Sequence, residues 1–217
     1  MDKVINLGIP HDGKHIFESV DTPGLVKSLE ASQTWKYLAG NIIIKWWKGK
    51  MLEACKSGET KVVQLLLERC SSEESGLNIK DQRGQTPLMA ACFFGHKDVV
   101  KLLLDHSKRI ELNAKDYGGW TPFMWACLRG NKDVVKLLLD HSKRIDLNAR
   151  DNDGFTPFMW ACRNGHKEIV KLLLDHSNID LNVTNNLGRT ALMIARQSGY
   201  QDIVHLLKPK SFSCVIL

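Results

Sequence analysis

The sequence predicts an all-α fold: a solenoid of about five stacked helix pairs joined by β-hairpin turns, preceded by a small three-helix domain. Three observations predict it. A unit of 34–35 residues recurs along residues 51–207. Each copy carries the residues that start and stop a short helix. Residues 1–50 lie outside the repeat but show apolar faces at helical spacing.

The repeat reads QTPLMAACFFGHKDVVKLLLD (85–105), WTPFMWACLRGNKDVVKLLLD (120–140), FTPFMWACRNGHKEIVKLLLD (155–175) and RTALMIARQSGYQDIVHLLK (189–208). An earlier unit, MLEACKSGETKVVQLLLE (51–68), matches without the Thr-Pro opening. Thr86, Thr121 and Thr156 suit a helix N-cap, where a hydroxyl accepts a free backbone N–H. Pro87, Pro122 and Pro157 follow at the first helical position, which needs no N–H. Gly58, Gly95, Gly130, Gly165 and Gly199 end the first helix of each unit, where a left-handed residue is required. A second helix follows, with Val99, Val100, Leu102, Leu103 and Leu104 setting its apolar face. DQRG (81–84), DYGG (116–119), DNDG (151–154) and NNLG (185–188) are turn sequences between units. One helix pair cannot bury its own apolar face, so the units must stack.

Composition is that of a globular chain. Of 217 residues 43% are hydrophobic and 25% charged, and the net charge is +6. No apolar run reaches the roughly 18 residues a membrane helix needs. The opening MDKVINLGIPHDGKH has no apolar core of a secretory signal, so none is expected. Lysines and arginines alternate with acids along the whole chain, which reads as a solvated surface and excludes nucleic acid as the expected partner.

Cys55, Cys92, Cys127 and Cys162 stand 37, 35 and 35 residues apart, one per repeat. Packed helices lie about 8–10 Å apart, too far for a disulfide between equivalent positions. These cysteines are therefore expected as small buried thiols in a reducing compartment. With Cys70 and Cys214 they make six, and no CxxC pair suggests zinc. His106, His141 and His176 recur in LLLDHS, but repeat spacing separates them too widely for one ion with ligands at about 2 Å. Asp151, Asp153 and Gly154 resemble the start of a calcium loop, yet Cys162 stands where the ligating glutamate belongs. No phosphate-binding loop, dinucleotide glycine pattern or HExxH occurs. No cofactor, metal or catalytic residue is expected, and the chain does not read as an enzyme.

The repeat resembles the ankyrin repeat over residues 51–207. The family's T-P-L-H-x-A appears here as T-P-L-M-A-A, T-P-F-M-W-A twice and T-A-L-M-I-A. Met89, Met124, Met159 and Met193 replace its histidine, so apolar packing is expected in place of a polar link within each repeat. The two extra residues in segments such as HSKRIEL (106–112) lengthen the connection after the second helix. The resemblance implies a binding protein whose turn tips and first helices line a concave surface. On that surface fall Phe93, Tyr117, Trp120, Trp125, Phe155 and Trp160, the expected substrate-binding residues. Trp120, Trp125, Phe155 and Trp160 are expected to form an aromatic strip. Such a strip serves recognition, or it fills gaps between stacked first helices. Asn113, Asn148 and Asn182 lie where the family can be hydroxylated on asparagine.

In residues 1–50, Pro10 and Asp12 suit a helix start. Ile16, Phe17 and Val20 form one apolar face, Leu25, Val26 and Leu29 a second, and Ser32, Trp35, Leu38 and Ala39 a third. This stretch resembles an F-box. Ile9-Pro10 stand for the opening Leu-Pro, Ile16-Phe17 for the apolar pair, Asp21-Thr22-Pro23-Gly24-Leu25 for the turn into leucine, and Ala31 to Trp35 for the small-residue run before tryptophan. The resemblance implies binding to the Skp1 adaptor, and through it cullin-1, by Ile9, Pro10, Ile16, Phe17, Leu25, Leu29 and Trp35. The repeats would then hold the substrate of a ubiquitin ligase. The other reading of these residues is a helical cap on the open end of the stack. On that reading the chain is an ankyrin scaffold or regulator without a ubiquitin role.

Residues 208–217 are expected as a flexible tail. It ends Cys214-Val215-Ile216-Leu217, a C-a-a-X pattern whose last leucine favours modification of Cys214 by a geranylgeranyltransferase. One lipid chain, with Lys208 and Lys210 beside it, implies reversible attachment to the cytosolic face of a membrane.

Overall fold

The structure is a computed structural model that describes residues 49–69, 77–176 and 178–211; for Arg69, Ser107 and 209–211 it describes the backbone alone. The chain divides into two units, Met1–Trp46 and Trp47–Leu217, and everything described belongs to the second. Ile9, Pro10, Ile16, Phe17, Leu25, Leu29, Trp35 and Cys214 lie outside the described residues.

Among the described residues ten α-helices in five pairs follow one another, as the repeat predicts. The pairs are α1 (49–57) with α2 (Thr60–Arg69), α3 (Pro87–Phe94) with α4 (Lys97–Asp105), α5 (Pro122–Arg129) with α6 (Lys132–Asp140), α7 (Pro157–Arg163) with α8 (Lys167–Leu174), and α9 (Ala191–Gln197) with α10 (Gln201–Ser211). Among the described residues no helix is long and apolar enough to cross a membrane.

The caps are those the sequence dictates. The hydroxyl oxygens of Thr86, Thr121, Thr156 and Thr190 accept the N–H groups of Met89, Met124, Met159 and Met193 at 3.2–3.4 Å. Gly95 and Gly130 close α3 and α5 at φ 80° and 78°, the left-handed region where glycine carries no steric penalty. A second constraint acts at these glycines. A Cβ on Gly130 would stand 2.6 Å from the His166 ring, and one on Gly165 would stand 2.3 Å from the ring of Tyr200. The next repeat therefore seals the turn that the glycine makes.

The side chains that seal these turns tie successive repeats together. His96 bonds the Lys56 carbonyl through Nε2 at 2.9 Å, Asn131 Nδ2 donates to the Cys92 and Phe93 carbonyls at 2.7 and 3.1 Å, and His166 Nε2 bonds the Leu128 carbonyl at 2.8 Å. Each takes up an orphan carbonyl at the end of the previous first helix. The asparagines before the turns form a second ladder. Asn113 Nδ2 donates to the Arg144 carbonyl and Asn113 Oδ1 accepts the Asp146 N–H, and Asn148 repeats the pattern with Asn178 and Asp180.

The core is continuous along the stack. Leu88, Phe123 and Phe158 fill equivalent places between first and second helices, with Val99, Val100 and Leu103 and their counterparts beneath. The first helices pack on one another more closely than the second helices do. Small residues allow this: Ala91–Cys92, Ala126–Cys127 and Ala161–Cys162 are buried on that layer. All four ladder cysteines are buried and free, as expected. The long connections after α4 and α6 hold short 3-10 turns, Ser107–Arg109 and Ser142–Arg144, which deliver Ile110 and Ile145 into the core.

The turns between repeats are the hairpin turns the sequence expects. Each is closed by two backbone bonds, such as Asp116 N–H to the Trp120 carbonyl at 3.1 Å and Gly119 N–H to the Asp116 carbonyl at 3.0 Å, and linked to its neighbour by others, such as Tyr117 N–H to the Arg83 carbonyl at 3.1 Å. The pairing stops at the turn: among the described residues there is an isolated bridge, Thr184 to Thr190, and no extended strand. At the C-terminal end, α10 runs through Pro209 to Ser211, past residue 207 where the repeat resemblance ends. A proline in the last turn forfeits one helical hydrogen bond, and the backbone continues for two more residues.

Candidate protein-binding face

The turns and first helices place one line of side chains along the stack. Each turn is organised by an aspartate or asparagine. Asp116 Oδ1 accepts the N–H groups of Gly118 and Trp120, both at 2.9 Å, and Asp151 Oδ1 accepts those of Asp153 and Phe155 at 3.0 and 2.8 Å. Asp81 and Asn185 do the same in their own turns. In the Asp151 turn, as in the Asp116 turn, that oxygen holds the backbone of its own loop.

The second oxygen of the two aspartates reaches the first helix. Trp125 Nε1 donates to Asp116 Oδ2 at 3.2 Å, and Trp160 Nε1 donates to Asp151 Oδ2 at 2.9 Å. Each indole is thereby fixed against its own turn, and residues nine apart in sequence become one unit. Both carboxylates are buried, with 9% and 7% of their surface exposed.

The fixed indoles meet in a ribbon. Trp120 stacks on Trp125 at 4.5 Å between centroids and lies 4.5 Å from Trp160, bridging two repeats. Trp160 stacks on Phe155 at 4.6 Å, and Trp125 meets Phe93 edge-on at 5.2 Å. The structure therefore brings together five of the six expected residues: Phe93, Trp120, Trp125, Phe155 and Trp160. Phe155 is buried and the others are half-buried. Tyr117 is apart from them. It is 70% exposed, makes no ring contact with the ribbon, and covers Gly84 of the preceding turn. Gly118 leaves room for Trp120: a Cβ there would stand 2.7 Å from its Cδ1.

Both ends of the ribbon carry an arginine outside the six expected residues. The Arg129 guanidinium lies 4.6 Å over the Phe93 ring, and that of Arg163 lies 4.9 Å over Trp160 and 5.3 Å over Phe155. Such contacts contribute about 0.5–1 kcal/mol where solvent reaches them. Beyond Arg163 an open cleft of about 560 Å³ continues the face, with Phe155 and Ile194 as its floor and Arg163, Arg189, Gln197 and Asp153 among its walls. Arg189 Nη1 donates to Gln197 Oε1 at 2.7 Å. The signal for these arginines was legible only as variable positions inside a constant frame.

The methionines of the motif are core rather than surface in three repeats. Met89, Met124 and Met159 are buried, whereas Met193, in the last described repeat, is 53% exposed. The expected loss of a polar link is incomplete in one place: the Thr86 N–H donates to Met89 Sδ at 3.4 Å, a weak bond that closes the cap in both directions. His106 and His141 bond the carbonyls of Leu102 and Leu137 through Nδ1 at 2.9 and 3.0 Å and so finish their helices.

A known family model, described as ankyrin repeats in three copies, matches residues 51–151 and 143–215. That match, the five stacked pairs and the Thr-Pro caps agree, and the chain belongs to the ankyrin-repeat family of protein-binding scaffolds.

Proposed function

We propose that the chain is the substrate-recognition subunit of a Skp1–cullin–F-box ubiquitin ligase. The ankyrin stack holds the substrate, and a geranylgeranyl group on Cys214 places the complex at the cytosolic face of a membrane. The binding half of this reading is supported by the aromatic ribbon with its flanking arginines, since half-buried Trp and Arg are the residues that anchor protein interfaces. The ligase half is supported by the order Ile9-Pro10, Ile16-Phe17, Leu25, Leu29 and Trp35. The chain itself performs no chemistry. It raises the local concentration of a substrate lysine beside a charged ubiquitin-conjugating enzyme.

The deciding experiment is capture from eukaryotic cytosol, probed for Skp1 and cullin-1. Wild type captures both, and Pro10→Ala with Leu25→Ala captures neither while its thermal melt is unchanged. Capture of other proteins without Skp1 would leave an ankyrin scaffold and remove the ubiquitin role. Fractionation of wild type against Cys214→Ser, with lipid mass read on Cys214, tests the anchor; equal soluble fractions would remove it.

A further inference from the structure

The hydrogen-bonding character of the ribbon is one-sided. Its acceptors are consumed inside the chain, because each of Asp116 and Asp151 gives one oxygen to two backbone N–H groups and the other to an indole. What remains is donors. Among the described residues Arg129, Arg163 and Arg189 pair with no carboxylate, and all three are exposed. Trp120 Nε1, unlike the other two indoles, bonds nothing among the described residues. Asp153 is the one carboxylate on the cleft wall.

The ring faces are also consumed. Trp120 has Trp125 and Trp160 each at 4.5 Å, and Trp160 has Phe155 at 4.6 Å. A nucleobase needs an open ring face to stack on. This ribbon offers ring edges and apolar crevices, which suit aliphatic side chains and proline, so its partner is a polypeptide.

We propose that this face binds an extended acidic peptide, with apolar side chains seated along Trp120, Trp160 and the Phe155–Ile194 floor and carboxylates on Arg129, Arg163 and Arg189. The proposal rests on reading the ribbon as the recognition face and adds the chemical class of its partner. Helices of adjacent repeats lie about 8–10 Å apart, and an extended chain advances about 3.3 Å per residue. An extended chain thus covers one repeat in about three residues, so acidic residues about three apart match the pitch of the repeats that carry the arginines.

The test is panning of a random dodecamer display library on the full chain. Enriched peptides are then measured by fluorescence anisotropy against wild type, Arg163→Glu and Trp120→Ala, with circular dichroism melts as the folding check. Arg163 is exposed, so its charge reversal leaves the fold in place. Expected are peptides with two or more Asp or Glu about three residues apart around an apolar residue. Their affinity falls at least about tenfold in Arg163→Glu and weakens steadily with added salt. Enrichment of neutral or basic peptides that still need Trp120 would overturn the acidic class and leave the recognition face standing. Peptides indifferent to both substitutions, or no enrichment at all, would overturn both. Tight binding of a thymidine 20-mer that both substitutions abolish would overturn the peptide in favour of nucleic acid.

Discussion

Trp160 Nε1 donates to Asp151 Oδ2 at 2.9 Å, while the other oxygen of that carboxylate holds the backbone N–H groups of Asp153 and Phe155. One buried side chain thus fixes both the turn and the tryptophan that the turn presents. Asp151→Ala strands two backbone donors and an indole, and buried unsatisfied donors cost about 1–3 kcal/mol each when water cannot reach them. We expect a loss of about 2–4 kcal/mol in guanidinium unfolding. In a double-mutant cycle with Trp160→Phe, the two substitutions should couple by about 1 kcal/mol. Additive losses would mean the bond carries nothing.

The cysteine ladder should be chemically silent in the folded protein. Burial pushes the Cys55 thiol up to about 12. Burial and the neighbouring cysteines push Cys127 well above its usual value, and Cys92 and Cys162 are also raised. The thiolate is the nucleophile, so a thiol held protonated and out of solvent does not react. In a Cys70→Ser, Cys214→Ser background, Ellman's reagent at pH 8 should find no fast thiol in the native state and four after guanidinium is added. Rapid labelling of the native chain would show that the stack opens locally.

Asp81 sets an acid limit to the stability of the first full turn. Burial raises its carboxyl, but the N–H groups of Gln85 and Arg83 and the Lys56 ammonium 3.2 Å away outweigh this and hold it below its usual value. A carboxyl lower in the folded than in the unfolded state stabilises the fold above the unfolded pKa, about 4. That contribution disappears as pH falls through the folded value. Exposed Glu168 and Asp202 are lowered by their lysine partners and shift in the same direction with little weight. Asp81→Asn should melt slightly lower than wild type at pH 7 and lose less on acidification from pH 4 to pH 2. The asparagine can still organise the turn, because Asn185 accepts the Leu187 and Arg189 N–H groups in the last repeat. Parallel acid limbs for the two proteins would discard the assignment.

The fold was legible because each repeat states its own punctuation. Thr86, Pro87 and Gly95 fix a helix start and stop through local bonds, and four copies remove the ambiguity a single one would carry. The site was legible only as a set of positions. Trp120, Trp125, Phe155 and Trp160 could be placed on one face, but stacking geometry depends on how closely first helices approach. The small Ala–Cys pairs set that approach through contacts between repeats. The same holds for His96, Asn131 and His166, which follow the glycine in each unit yet bond a carbonyl about 40 residues earlier. Arg129 and Arg163 stand one register apart in the alignment, so no periodic signal joined them, although both end on a ring of the ribbon.

Trp120 and Trp125 separate recognition from packing. Trp125 packs against the core, stacks on Trp120, meets Phe93 and bonds Asp116. Its truncation leaves a gap and a carboxylate oxygen short of its donor, which should cost about 2–4 kcal/mol of stability. Trp120 has no hydrogen bond to lose through its indole and rests over a glycine turn, so Trp120→Ala should cost about 1 kcal/mol, the worth of its stacking contacts. At about 2–4 °C per kcal/mol for a chain this size, the two variants differ clearly in melting temperature. As recognition residues both should lose roughly thirtyfold in partner affinity, the about 2 kcal/mol of an interface anchor. The informative variant is Trp120→Ala, melting within a few degrees of wild type while partner capture collapses. Unchanged capture with a fall in melting temperature as large as that of Trp125→Ala would show that the ribbon is core between repeats.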